Sequence, residues 1–213
     1  MKKIGLFFVF FVLMVGSSFA VDYSVGGSLG FGSPMLGGRD YGQEDFGSDA
    51  EESNFAILPQ VDVLIEFSDY FALETGLGYR YSKATFSGSE GSDSLEILAV
   101  SQGVSIPLIF RTQLGYDLNW DFVTRGITYL GLGIDICFNS QKCTVEGTSG
   151  SGGSFSSKAT GSQPLFFTIV AGQEFQVAKD HFVGLRFDVD LDFSFITSHS
   201  NIFFAGTYRY SFW

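Results

Sequence analysis

The sequence predicts an all-β chain that folds as an eight-stranded antiparallel up-and-down transmembrane β-barrel. Three observations predict this fold: apolar and polar residues alternate with a period of two, turn-rich stretches separate the alternating segments, and each segment is long enough to cross a membrane as a strand. A tilted transmembrane strand needs about 9–11 residues, whereas a transmembrane helix needs about 20 predominantly apolar residues. No stretch after Ala20 is apolar over that length.

The first 20 residues are typical of an export signal. Lys2 and Lys3 precede an apolar run that extends to Val15, and the following residues end in a Ser-x-Ala pattern that a signal peptidase accepts. The apolar run of 12 residues is too short for a spanning helix, although a membrane anchor is the alternative. We therefore expect a signal peptide at 1–20, cleaved after Ala20, and one barrel domain at 21–213.

Composition narrows the class of protein. The chain contains 27 glycines and 25 phenylalanines, while only 16% of its residues are charged. Cleavage after Ala20 removes two lysines and leaves 193 residues with a formal charge of −13. This charge argues against nucleic acid as a partner, because phosphates need Lys and Arg.

The clearest alternation lies within Phe182–Phe195. From Val183 onward, odd-numbered positions are Val, Leu or Phe, and even-numbered positions are Gly, Arg, Asp or Ser. As a strand this segment has one apolar and one charged face, whereas a helix would scatter its aspartates around the axis. Seven further segments alternate in the same way: Tyr23–Phe31, Phe55–Phe67, Phe71–Tyr81, Leu98–Phe110, Phe122–Phe138, Leu165–Val177 and Ile202–Phe212.

The connections between these segments alternate in length. Short connections are predicted around 68–70, 113–119 and 178–181, and longer ones over 32–54, 87–94 and 139–163, the last containing a Gly/Ser-rich loop. Barrels of the bacterial outer membrane have short periplasmic turns and longer external loops. An even number of strands places both chain ends on the periplasmic side, so all the long connections are predicted to lie outside the cell.

Two segments resemble the small eight-stranded outer-membrane barrels of the OmpX/OmpA-type and OmpW-like families. Val104–Arg111 contains the Ile-Pro-Leu pattern of a strand common in these families. The C-terminal residues Tyr208, Tyr210, Phe212 and Trp213 resemble their assembly signal, although Trp213 is out of phase with the other three. The resemblance covers nearly all of 21–213. It implies a bacterial outer-membrane location, with outer-membrane lipid, the barrel-assembly machinery and periplasmic chaperones as partners.

If the apolar faces contact lipid, charged side chains line the interior. An eight-stranded barrel is only wide enough for side chains to fill, and an isolated buried charge is costly. We expect a paired, filled lumen, with a selective polar conduit or proton path as the alternative. The residues of this predicted network are Asp62, Glu66, Glu74, Arg80, Arg111, Arg125, Asp135, Glu174, Arg186, Asp188, Asp190, Asp192 and Arg209.

The two cysteines, Cys137 and Cys143, are candidates for a disulfide. An exported protein meets an oxidising periplasm, and their spacing predicts a small ring at the start of the Gly/Ser-rich loop. No histidine lies nearby, so zinc is not expected. The acidic segment at 40–52 lacks the spacing of an EF-hand and is interpreted as a solvated loop. We expect no metal or cofactor.

The sequence favours an integral outer-membrane barrel with a structural or surface-interaction role and an unidentified surface ligand. One alternative is an OmpW-like passage for small, apolar molecules. Another is a soluble lipocalin-like carrier, which would place its apolar residues inside. No catalytic residues are predicted, because neither His181 nor His199 shows a nucleophile–base spacing.

Overall fold

The computed structural model describes residues 22–37, 51–90, 92–120, 122–150, 152–162, 165–192 and 198–212. Within these ranges no helix is long and apolar enough to span a membrane. The described chain forms antiparallel strands, which are β1 (Asp22–Gly37), β2 (Glu51–Ser68), β3 (Phe71–Glu90), β4 (Asp93–Trp120), β5 (Val123–Ser149), β6 (Gly153–Gly161), β7 (Leu165–Ala178), β8 (His181–Asp192) and β9 (Ser198–Phe212).

Eight of these strands close into a ring. Hydrogen bonding follows the order β4-β3-β2-β1-β9-β8-β7-β5, and β5 pairs with β4 to complete the circle. Among the described strands, the ninth strand, β6, pairs only with β5 and lies outside the ring. The predicted eight-stranded up-and-down barrel is therefore confirmed. Closure leaves no unpaired edge in the ring, as a membrane-spanning sheet requires.

Several strands extend further than the sequence predicted. β4 and β5 contain 28 and 27 residues, so the predicted short connection at 113–119 is part of β4. The predicted long loop at 139–163 was also wrong, because 139–149 continues β5 and Gly153–Gly161 is β6. Ser, Thr and Gly obscure the alternation there, although the backbone pairs fully from Gln141–Gly161 to Ser149–Gly153. Gly152 has a φ of 86° in the connecting turn, which favours glycine.

The predicted faces of the strands are present in the barrel. In β8, Leu185 is 72% exposed, whereas its neighbour Arg186 is 5% exposed. The same contrast occurs in other strands of the ring, where the exposed apolar residues include Val61, Leu77, Leu130, Leu132 and Phe204. The lipocalin-like alternative is wrong, because such a carrier needs an apolar interior and a polar exterior, and this barrel has the opposite arrangement.

Where the strands extend beyond the closed ring, the apolar residues face inward and the polar residues face outward. β7 stops pairing with β5 at Leu165–Ile136, but β3, β4, β5 and β6 continue as a sheet beyond this point. On the inward side of this sheet, Ala84 and Phe86 are each 4% exposed. The outward side carries polar residues such as Lys83, Glu96 and Glu146. A polar outer face is suited to water, whereas the apolar outer face below it is suited to lipid.

Candidate functional site

The half of the lumen nearer the extended ends of β4 and β5 contains a three-member ion-pair cluster. Arg80 of β3 donates hydrogen bonds to Asp135 of β5 and to Asp190 of β8, and the Arg80–Asp190 N–O distance is 2.5 Å. Thr168 Oγ1 also donates to Asp190, at 2.7 Å. β3 and β8 are four positions apart in a ring of eight. The Arg80–Asp190 pair therefore crosses the full width of the barrel.

Aromatic rings lie against the same guanidinium. The Arg80 Cζ atom is 4.6 Å from the centre of the Phe166 ring and 5.5 Å from that of Phe203. Both rings are almost fully buried and point inward. The cluster is thus held by ion pairs and cation–π contacts together.

The other half of the lumen, nearer the two ends of the described chain, contains a larger, continuous cluster. Glu74 accepts hydrogen bonds from Arg111, at 2.9 Å, and from Arg186 on the opposite side of the ring. Glu174 accepts from Arg209 at 2.6 Å and lies 3.7 Å from Arg111. Two further pairs extend the cluster: Arg186–Asp188 at 2.6 Å and Arg209–Glu66 at 3.5 Å.

Tyr129 stacks on this second cluster. Its ring centre is 3.5 Å from the Arg111 Cζ atom. The ring lies over Gly172 of β7, where a Cβ would also come within 2.7 Å of the Leu185 carbonyl oxygen. Glycine at this position therefore lets the aromatic ring pack against the barrel wall. The Arg209 guanidinium has a similar neighbour, the Phe182 ring, at 4.4 Å.

Ten of the predicted network residues take part in these ion pairs. Asp62 instead accepts a hydrogen bond from Gln60. Arg125 lies at the mouth of the barrel near the chain ends and forms no ion pair with any described residue. The side chain of Asp192, at the end of β8, lies outside the described residues. Sequence reasoning identified the inward positions, but it missed Thr168, Gln60 and the four aromatic rings.

The described residues line two cavities in or at the lumen. The larger, about 270 Å³, opens at the mouth of the barrel near the chain ends, and Glu66, Gln113, Arg125, Phe182 and Arg209 contribute to its lining. The second, about 20 Å³, lies among Glu74, Arg111, Tyr129 and Arg186. That volume is roughly enough for a single water molecule.

The predicted disulfide is wrong. Cys137 and Cys143 are both free thiols, the first buried and the second half-buried. They lie six positions apart on one face of the same strand, β5. At about 3.3 Å per residue their Cα atoms are about 20 Å apart, whereas a disulfide joins Cα atoms about 5.5–6 Å apart. The ring needed a turn between them, and the chain instead continues as a strand.

The C-terminal aromatic residues lie on the outward face of β9. Tyr208 and Phe212 are 48% and 54% exposed, and the rings of Tyr210 and Phe212 meet edge to face at 4.8 Å. Tyr208 also hydrogen-bonds His181 Nδ1 at 2.7 Å, which gives this histidine a structural partner. Trp213, the signal segment 1–20, the loop acids at 40–49 and the His199 side chain lie outside the described residues.

Ring closure, apolar outward rows and inward ion pairs together define the class: the chain is a small transmembrane β-barrel of the outer-membrane type. No protein-family model and no curated protein matches its sequence.

Solved structures of similar fold include the N-terminal β-barrel domain of Pseudomonas aeruginosa OprF. It is 12% identical, with a TM-score of 0.43, and the match covers 89% of this chain and 97% of that one. The outer membrane protein OprG of the same organism is 9% identical, with a TM-score of 0.40 and coverages of 90% and 95%. Neisserial surface protein A is 11% identical, with a TM-score of 0.39 and coverages of 89% and 97%. At these identities the similarity concerns the fold alone.

Proposed function

We propose that this chain is an integral protein of the bacterial outer membrane whose filled barrel supports a surface-exposed, interacting β-sheet. One observation carries the first part of this proposal: side chains cross the lumen at two levels, through Arg80–Asp190 and Arg186–Glu74. Both pairs join opposite sides of the ring, and all four side chains are almost fully buried. A lumen bridged in this way supports a structural role and argues against a conducting one.

The location rests on the chain's own features. The outward apolar rows suit lipid, and the N-terminal 20 residues have the pattern of an export signal. Export then brings periplasmic chaperones and the barrel-assembly machinery as partners. We propose Tyr208, Tyr210, Phe212 and Trp213 as the segment that this machinery reads.

The surface role rests on β6. Every residue of Gly153–Gly161 is exposed, and β5 is its only hydrogen-bonded neighbour among the described strands. The strand has no proline, and Lys158 is its one charged residue, so it carries few of the devices that usually block an edge. Such an edge is suited to main-chain pairing with an extended segment of a partner protein.

Planar-bilayer recording of the refolded protein tests the filled lumen. The wild type is expected to give no stable channels, because the two crossing ion pairs leave only small cavities. The double variant R80A/D190A removes the outer crossing and serves as the comparison, with any new conductance attributed to that level. Stable, reproducible channels in the wild type would contradict the proposal.

A second candidate function is passage of small apolar molecules along the outer wall. A groove of about 700 Å³ on the outward surface supports it, lined mainly by apolar atoms around Gly27, Leu29, Val61 and Tyr208. Gly206 lies in this groove, and a Cβ there meets no atom within 4 Å. Gly206→Leu is therefore expected to fill the groove without disturbing the barrel. Unchanged uptake of an apolar dye into vesicles by this variant would exclude the groove as a route.

A further inference from the structure

Three lysines project from one outward face of the sheet above the barrel. Lys83 of β3 and Lys142 of β5 flank Val100 of β4 in a single row of the register. Two interstrand spacings of about 4.8 Å place their Cα atoms about 10 Å apart. Lys158 of β6 pairs with Thr144, one row further from the barrel. After the predicted signal peptide, the only other lysine in the sequence is Lys179.

These lysines have no acidic partner in the described structure. All three are exposed, and none forms an ion pair within the described ranges. Their clustering is unexpected in a chain whose formal charge is −11. Three unpaired positive charges on one side of an acidic protein indicate an anionic partner.

The neighbouring rows of the sheet show how far the lysines lie from the apolar outer surface of the barrel. Two rows closer to the barrel, Tyr79, Val104 and Phe138 point outward and are 45%, 40% and 67% exposed. Each row is two residues, or about 7 Å, along the strand. The lysines thus lie about 14–21 Å from an apolar row on the lipid-facing side. A flexible ammonium side chain can reach back toward the membrane over part of that distance.

Acidic residues occupy the row beyond Lys158. Glu51, Glu96 and Glu146 share this row through Ser87, and all are exposed. The outward face therefore changes from apolar to basic to acidic with distance from the barrel. A large polyanion arriving from solvent meets the carboxylates, whereas an anion anchored in the membrane meets the lysines first.

We infer that Lys83, Lys142 and Lys158 bind the phosphate groups of an anionic lipid in the outer leaflet. This inference rests on the proposed membrane location. An ammonium group binds phosphate as a compact point charge, and the three groups lie on the outward side of the wall, beyond its apolar rows. Their separation suits a headgroup with more than one phosphate.

Native mass spectrometry of the refolded protein in a neutral detergent tests the inference, with diphosphorylated lipid A as the probe. Each lysine is expected to contribute roughly 5-fold to affinity, and K83Q/K142Q/K158Q is expected to weaken binding on the order of 100-fold. The matched control is K179Q, which removes the lysine between β7 and β8 at the other end of the barrel. The triple Lys→Arg variant keeps the charges and is expected to retain most of the binding.

Equal retention of lipid A by the wild type and the triple Gln variant, or an equal loss in K179Q, would overturn the inference. Displacement of lipid A by equimolar inositol hexakisphosphate would also overturn it, in favour of a soluble polyanion site. Heat-dependent gel mobility shows whether each variant is folded. If the wild type is soluble without detergent, the proposed membrane location is contradicted. If the protein needs detergent but the lysine substitutions do not change lipid A binding, the lipid site alone is contradicted.

Discussion

Arg80 and Asp190 form an ion pair that joins opposite walls of the barrel. They are separated by 110 residues in sequence, and their side chains are 3% and 1% exposed. Asp135 binds the same guanidinium from a third strand. Because both carboxylates depend on one arginine, the two members of the crossing pair are not equivalent.

Substitution of Arg80 is therefore expected to destabilise the barrel more than substitution of Asp190. Loss of one partner from a buried ion pair costs roughly 3–5 kcal/mol. In Asp190→Asn, Asp135 still pairs with Arg80, and the new amide oxygen can accept the hydrogen bond from Thr168. The loss in free energy of unfolding is therefore expected to lie at or below the lower end of that range. Arg80→Met leaves the buried carboxylates of Asp135 and Asp190 without their cation and is expected to reach the upper end of that range. Urea unfolding in lipid vesicles measures both, and a smaller loss in Arg80→Met would contradict the shared-arginine arrangement.

The cysteines are expected to behave as two independent thiols. In the folded protein without reductant, a maleimide should modify the half-buried Cys143, whereas the buried Cys137 should react only after unfolding. Intact mass before and after alkylation measures this. A form lacking two hydrogens that resists alkylation until reduced would show that the thiols meet, contrary to their separation along β5.

The proposed orientation predicts opposite reactivity for two exposed lysines. Lys158 lies on β6, beyond the ring, and Lys179 lies in the turn between β7 and β8 at the other end of the barrel. A membrane-impermeant amine reagent applied to intact cells is expected to label Lys158 and spare Lys179. Labelling in the reverse order would mean that the barrel is inserted the other way round.

Two glycines offer a matched test of the wall packing. Gly172→Ala places a methyl group against the Tyr129 ring and within 2.7 Å of the Leu185 carbonyl oxygen. Overpacking of this kind typically costs about 1–3 kcal/mol. Gly206→Ala changes a strand glycine in the same way but meets no atom within 4 Å, so it is expected to be close to neutral. Equal unfolding midpoints for the two variants would contradict the packing of Tyr129.

The sequence was sufficient for the faces of the strands because a period of two is a local property. Inward positions such as Glu74, Arg111 and Asp190 follow directly from it. The partner of each charge does not, since Arg80 meets Asp190 only through the ring closure and the register of several strand pairs. The row of Lys83 and Lys142 was missed for the same reason.

The errors concentrate in the segment 139–163. Its Ser, Thr and Gly residues have weak alternation and read as a loop, which also made a turn between Cys137 and Cys143 plausible. The strand exists because its backbone pairs on both sides, with β4 and β6. Such pairing depends on neighbours that the local sequence does not specify.

The most direct test of the central claim, an apolar exterior around a charged interior, compares Leu191→Phe with Asp190→Phe in β8. Leu191 is 38% exposed and Asp190 is 1% exposed, although they are adjacent. Lipid should accept a ring at Leu191 with little change in the free energy of unfolding. A ring at Asp190 must enter a packed lumen and leaves Arg80 with one partner, so a loss of several kcal/mol is expected. Urea unfolding in vesicles should therefore show a near-wild-type midpoint for Leu191→Phe and a large decrease for Asp190→Phe. Equal midpoints, or the reverse order, would contradict the assignment of the inside and the outside of this barrel.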